Sequence, residues 1–154
     1  MATWNDFISL LTEALGSDNV KKGTGKQANT ATATFEQTLK LKDGTEKKRS
    51  QKLHFEYDGT NAGWIAVTSF VGPAEAADIP DFLAGLGEDW KLPAAVIVDE
   101  QLALRHHFGL PEINGGKDAE EVNKELLARA LVSSVVVGSF ADFLEAHYTE
   151  EDAR

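Results

Sequence analysis

The sequence contains no cysteine. This absence excludes disulfide bonds, thiolate metal sites and cysteine catalysis, and it leaves the cellular compartment open. Residues 1–6 also lack the basic segment and the long apolar run that open a secretory signal. By elimination, the sequence predicts a cytoplasmic protein.

Positive charge is in short supply. Fifteen Lys and Arg residues stand against 25 Asp and Glu, which gives a net charge of −10 and disfavours a nucleic-acid backbone as the main partner. Residues 21–52 reverse this sign, with nine basic residues against three acidic ones. Lys47, Lys48 and Arg49 are the densest part of this basic hairpin patch. It either guides an acidic partner or protects a strand edge from aggregation.

Long uninterrupted apolar runs are also missing. The most apolar window, from Leu126 to Leu144, still contains Arg129 and Asp142. Charges at that depth of a membrane are costly. The window therefore favours a buried helix, and we expect no membrane contact.

The apolar periodicity predicts helices flanking runs of strands. Thr3 and Asp6 are typical of a helix start, and Gly16 of its end. A polar loop over 17–29 then leads to alternating strand patterns, with Asp43-Gly44 and Asp99-Glu100 at turns. The predicted elements are a helix to residue 15, strands over 30–41, 52–57 and 64–71, a short helix over 78–86, strands over 94–98 and 101–108, and a helix over 118–148.

This order, α-β-β-β-α-β-β-α, indicates an α+β fold with a five-stranded antiparallel sheet. The strand over 64–71 is apolar on both faces and is expected to lie centrally. No linker, repeat or low-complexity tract interrupts residues 1–154, so a single domain is predicted.

No motif in the chain carries catalytic chemistry. Lys22-Gly23-Thr24-Gly25-Lys26 lacks the first glycine and the hydroxyl residue of a phosphate loop, and a strand follows it. His106 and His107 are neighbours in a predicted strand, so they point to opposite faces and do not favour one metal. We therefore expect no metal, no cofactor and no enzymatic activity.

The final helix is apolar on more than one face. One stripe is the predicted core face: Val122, Leu126, Ala130, Ser133, Val137, Phe140, Leu144 and Tyr148. Leu127, Leu131 and Val135 form a second stripe, which we predict as a partner or dimer interface. Val132, Val136 and Phe143 form an alternative stripe, and Gly138 is expected to bend the helix.

The chain resembles the YbjN family and the wider fold of type III secretion chaperones. Residues 93–99, Leu102-Ala103-Leu104-Arg105, Asp118-Ala119-Glu120-Glu121 and residues 138–145 carry this resemblance. The resemblance implies a small, acidic, cytoplasmic, often dimeric domain without a cofactor. Secretion chaperones of this fold bind extended segments of client proteins, although the basic hairpin is not expected of that group.

These observations lead to three hypotheses about function and to one alternative in which the second stripe has only a structural role. The first is a non-enzymatic protein- or peptide-binding domain, chaperone-like or regulatory, acting as a homodimer. The second is a small-molecule-binding or hydrolytic domain with a pocket between sheet and helices. The third is a regulatory domain whose basic hairpin docks on an acidic partner. Alternatively, the second stripe packs against the N-terminal helix of the same chain.

Overall fold

The computed structural model describes residues 3–40, 43–60, 63–76, 78–85, 93–110 and 119–146. Its helices are α1 (Trp4–Leu15), α2 (Ile79–Gly85) and α3 (Ala119–Leu144). The strands are β1 (Val20–Lys22), β2 (Thr30–Lys40), β3 (Glu46–Asp58), β4 (Trp64–Pro73), β5 (Ala94–Val98) and β6 (Gln101–Gly109). Short 3-10 helices occupy Ser17–Asn19, Gly25–Gln27 and Ala74–Ala76.

The strands form one antiparallel sheet in the order β1-β2-β3-β4-β6-β5. The predicted α+β class is confirmed, and β4 has the central place expected from its two apolar faces. The sheet has six strands rather than five. The additional strand, β1, lies within the loop predicted over 17–29 and pairs with β2. Its three residues are too few to show the alternation of apolar and polar side chains that identifies a strand.

The helix α1 begins and ends where the sequence indicated. The Asp6 N–H donates to Thr3 Oγ1 at 3.2 Å, and the Thr3 N–H donates to the Asp6 carboxylate at 2.7 Å. Gly16 ends the helix with φ +89°, a conformation that glycine adopts without strain. Phe7 and Leu11 face the sheet and are fully buried.

One face of the sheet forms the core with α1 and α3. Strand alternation sends Ala31 and Ala33 of β2 and Leu53 and Phe55 of β3 into this core, as their pattern predicted. The Phe7 ring meets the Phe55 ring edge-on at a centroid distance of 5.4 Å. The opposite face of β2, β3, β4 and β6 carries the alternate, mainly polar residues.

The turn between β5 and β6 is the two-residue hairpin that the sequence indicated. Asp99 and Glu100 have φ angles of +48° and +62°, and the pair Val98 and Gln101 closes the ladder. Two successive positive φ angles are typical of hairpin turns whose twist matches that of the strands.

The side of α3 that is buried differs from the core face that the sequence predicts, so that prediction is wrong. Val137 and Leu144 are buried as expected, but Val122 and Phe140 are exposed. The residues that are buried on this helix are instead Leu127, Ser134, Val137, Gly138, Ala141, Asp142, Leu144 and Glu145. Three of these side chains are polar, so an apolar count alone places the core face incorrectly. The predicted end residues Asp118 and Tyr148 lie outside the described residues.

Gly138 brings α3 close to the sheet, and the helical assignment of Ala119–Leu144 runs through it unbroken. A Cβ at this position would lie 2.6 Å from Phe35 Cε1 and 2.7 Å from Leu53 Cδ2. Both distances are below any real carbon contact. A glycine is therefore required at this position for α3 to lie this close to the sheet.

Replacing Gly138 with alanine should destabilise the fold. Alanine gains about 1 kcal/mol of helix propensity, but the overpacking against Phe35 and Leu53 costs more, so we expect a net loss of about 1–2 kcal/mol. Urea unfolding measures this difference. Ser133→Ala is the matched control in the same helix and should leave stability unchanged or slightly raised; a Gly138→Ala variant as stable as this control would contradict the close approach.

Candidate interaction surface on the long helix

Arg49 does not belong to an exposed basic patch. Its side chain is only 5% exposed, and it points from β3 to the end of α3. Nε donates to Asp142 Oδ1 at 2.6 Å, and Nη2 donates to Glu145 Oε1 at 2.8 Å. Gln37 Nε2 donates to the other Asp142 oxygen at 2.5 Å. The buried cluster of Arg49, Asp142 and Glu145 therefore joins the β2–β3 hairpin to the last turn of α3.

The rest of the basic hairpin patch is reduced as well. Lys47 and Lys48 are exposed as predicted, but Lys48 forms an ion pair with Glu36 at 2.6 Å. Since Arg49 is turned inward and paired, Lys47 is the member of this trio whose charge has no ion pair among the described residues. A single exposed lysine is a small basis for docking an acidic partner.

The predicted second stripe of α3 belongs mainly to the core of the same chain. Leu127 is buried and joins the main hydrophobic cluster, and half-buried Leu131 packs against it. Val135 is half-buried on the same side of the helix. Leu127 is therefore corrected from a partner surface to internal packing, because the inward turn of Asp142 and Glu145 carries this side of α3 toward the sheet. Leu131 contacts the same core and keeps part of its surface exposed.

The alternative stripe lies on the outer face of α3. Val132 is 62% exposed and Phe143 is 44% exposed, with half-buried Val136 between them. Phe140 adds a further apolar side chain that is 41% exposed. We call Val132, Val136, Phe140 and Phe143 the outer stripe. Large apolar side chains grouped on one exposed helix face are typical of interaction sites.

Charge is distributed unevenly along α3. The first half carries the exposed pairs Glu120–Lys124 at 3.0 Å and Glu125–Arg129 at 2.6 Å. From Ala130 to Ala141 the sequence has no charged residue. A solvated helix face normally carries charges, so the outer stripe is an unusually apolar surface for a chain of net charge −10.

One cleft between the sheet and α1 has few side chains that could take part in catalysis. A cleft of about 570 Å³ lies beside the end of α1, against β2 and β3. It is lined by Ala14, Leu15, Asn19, Thr34, Phe35, Glu36 and Ser50. Glu36 is the one ionisable side chain among these lining residues, and it already pairs with Lys48. This lining gives no support to a hydrolytic pocket here.

The histidines are dispersed over the sheet. His106 pairs across to Val67 on the core side of β6, whereas exposed His107 points to the other face. His54 of β3 lies on that other face, with its ring edge-on to Phe70 at 5.2 Å. Within the described ranges, no three His, Asp or Glu side chains group as metal ligands would.

Burial lowers the pKa of two of these histidines. The pKa of His54 falls because desolvation disfavours the charged imidazole, and nearby Lys52 adds repulsion. Desolvation also lowers the pKa of His106, with a smaller effect from His107. Burial therefore favours the neutral form of both rings.

One helix in the described part of the chain, Glu120–Leu144, is long and apolar enough to cross a membrane by length and composition alone. The core helix of a soluble protein satisfies the same test. About 39% of its most apolar window is buried in the fold, and Leu127, Val137, Ala141 and Leu144 belong to the core.

No family model matches the chain, and no curated protein matches it. The resemblance to YbjN proteins and secretion chaperones therefore stays a prediction.

Removing Arg49 should strongly destabilise the protein. Arg49→Met leaves Asp142 and Glu145 buried without their cation, and breaking such a pair typically costs about 3–5 kcal/mol. Chemical denaturation measures the loss. Lys48→Met is the matched control on the neighbouring position, where the exposed pair with Glu36 is worth under about 1 kcal/mol. Equal effects of the two variants would show that the buried cluster contributes nothing special.

Stability should fall as the pH is lowered from about 7.5 to 5.5. The pKa of His54 is lower in the folded state than in the unfolded chain, so the unfolded state takes up more protons in this range. His54→Gln should make the decrease smaller, as measured by urea unfolding at both pH values. An unchanged slope in His54→Gln would contradict the role of burial.

Proposed function

We propose that this chain is a non-enzymatic protein-binding domain, chaperone-like or regulatory, that acts as a homodimer through the outer stripe of α3. The observation that supports this most directly is the uncharged second half of α3, with Val132 and Phe143 exposed on its outer face. Interfaces between identical subunits are enriched in such apolar and aromatic side chains.

The spacing of the outer face favours another helix as the partner. Val132, Val136, Ser139 and Phe143 follow one another at intervals of four, three and four residues. Alternating intervals of three and four place side chains along one seam, as in helices that pack side by side. A second helix of the same length therefore fits this surface better than an extended peptide does.

A second copy of α3 is self-complementary with this stripe. In an antiparallel pair with its twofold axis at Val136, Val132 of one copy lies opposite Phe140 of the partner subunit. The same contact is then repeated on the other side of the axis, which is the property of a twofold interface. The Glu125–Arg129 pair at the charged end is internally neutralised, so two acidic chains can approach here.

The ionisable groups near the helix end serve the fold in this proposal. Arg49, Asp142 and Glu145 are engaged with one another inside the domain. In this proposal the partner is a protein, and neither nucleic acid nor a membrane surface is bound. We place the domain in the cytoplasm on the sequence argument given above.

The proposal is tested by the solution mass of Val132→Asp. Light scattering over a range of concentrations should give a dimer for wild type and a monomer for the variant, because the charge enters the uncharged stripe. Val132 is largely exposed in the single chain, so circular dichroism should show an intact fold. Leu131→Asp is less informative because Leu131 packs on the core.

Ile97→Asp is the matched control for this experiment. It adds the same charge in place of an apolar side chain that is also 62% exposed, but on strand β5 rather than on α3. This variant should remain dimeric. A wild-type protein that is monomeric at every concentration, or a Val132→Asp variant that stays dimeric, would overturn the proposal.

A further inference from the structure

A second surface lies on the face of the sheet opposite α1 and α3. There, a cleft of about 280 Å³ lies over β2, β3, β4 and β6. Its polar walls include Thr30, Thr32, His54, Glu56, Thr68 and Arg105. A volume near the lower end of ligand pockets suits a small molecule.

The centre of this cleft is one row of residues in register across four strands. Thr32 of β2 pairs with His54 of β3, His54 with Thr68 of β4, and Thr68 with Arg105 of β6. Directly opposed residues of neighbouring strands point to the same face. Two hydroxyls, an imidazole and a guanidinium thus share one rigid platform.

Arg105 is held in place but not neutralised. Its Nε donates to Thr68 Oγ1 at 2.8 Å, and Thr68 itself is buried. Among the described residues, no carboxylate lies within ion-pair distance of this guanidinium. A guanidinium positioned through Nε keeps its two Nη groups for a bidentate contact with an oxyanion.

His54 offers a second polar group beside this cation. Its Nε2 atom is buried and has no hydrogen-bond partner among the described side chains and backbone. The Phe70 ring packs edge-on against the imidazole and forms an apolar wall. Lys52 lies on the same face two residues along β3, outside the cleft lining, and it adds a second positive charge to this face of the sheet.

We propose that this cleft binds the carboxylate or phosphate group of a small organic anion. Arg105 would hold the oxyanion through its Nη groups beside Thr68, and His54 on the next strand of the row would donate to it. Thr32, one strand further on, would contact the remainder of the ligand. Phe70 would contact the apolar part of the ligand. Exposed Glu56 lines the cleft one row away from His54 and Arg105, so the anionic group is directed to the Arg105 end.

The test uses two probes, inorganic phosphate and benzoate, titrated separately into the isotope-labelled full chain at constant ionic strength. Amide resonances of Thr32, His54, Thr68 and Arg105 should shift in a saturable manner with at least one probe. The probe that binds more tightly identifies the class of anion. Chloride at the same ionic strength should produce no saturable shift at these positions.

Arg105→Gln should weaken binding by about tenfold or more, because it removes the charge-assisted contacts. Arg105→Lys keeps the charge but loses the forked geometry, and should bind with intermediate affinity. Arg129→Gln is the control, since it removes an exposed arginine on α3 far along the chain. Equal affinity in Arg105→Gln and Arg129→Gln, or no saturable shift with either probe, would overturn the proposal.

Discussion

The buried ion pairs of Arg49 determine how the long helix is rotated. Asp142 and Glu145 are both fully buried on α3, and such carboxylates are tolerated only where a cation and hydrogen bonds compensate them. Arg49 supplies the cation from β3, so both acidic residues must face the sheet. With 3.6 residues per turn, this rotation carries Val132 and Phe143 to the opposite side. The burial of Asp142 and Glu145 thus places the apolar outer stripe on the exposed side of the helix.

The close contact at Gly138 acts together with this ion cluster. The missing Cβ sets the distance between α3 and the side chains of Phe35 and Leu53, while Arg49 sets the angle of the helix about its own axis. Distance and rotation are therefore specified by separate residues within two turns. Both rest on the β2–β3 hairpin, which makes this hairpin a structural support of the helix rather than an independent arm.

The sequence predicted the strands better than the helix face. Period-two alternation in β2 and β3 and the Asp99-Glu100 turn are local signals, and local geometry decides them. The rotation of α3 depends instead on Arg49, which lies 93 residues from Asp142. From local sequence alone, Asp142 and Glu145 are predicted to face solvent, and Arg49 is predicted to be a surface charge. The cleft row of Thr32, His54, Thr68 and Arg105 was missed for the same reason, since strand register is a long-range property.

The two proposed surfaces lie on opposite sides of the domain. The outer stripe faces away from the sheet beyond α3, whereas the cleft opens on the sheet face opposite α1 and α3. A second copy bound to α3 therefore leaves the cleft accessible in each subunit. The strand β3 is linked to both α3 and the cleft, because Arg49 binds Asp142 on the inner side of α3 and His54 lines the cleft. Any thermodynamic coupling between anion binding and dimerisation would pass through this strand, and it would act equally in both directions.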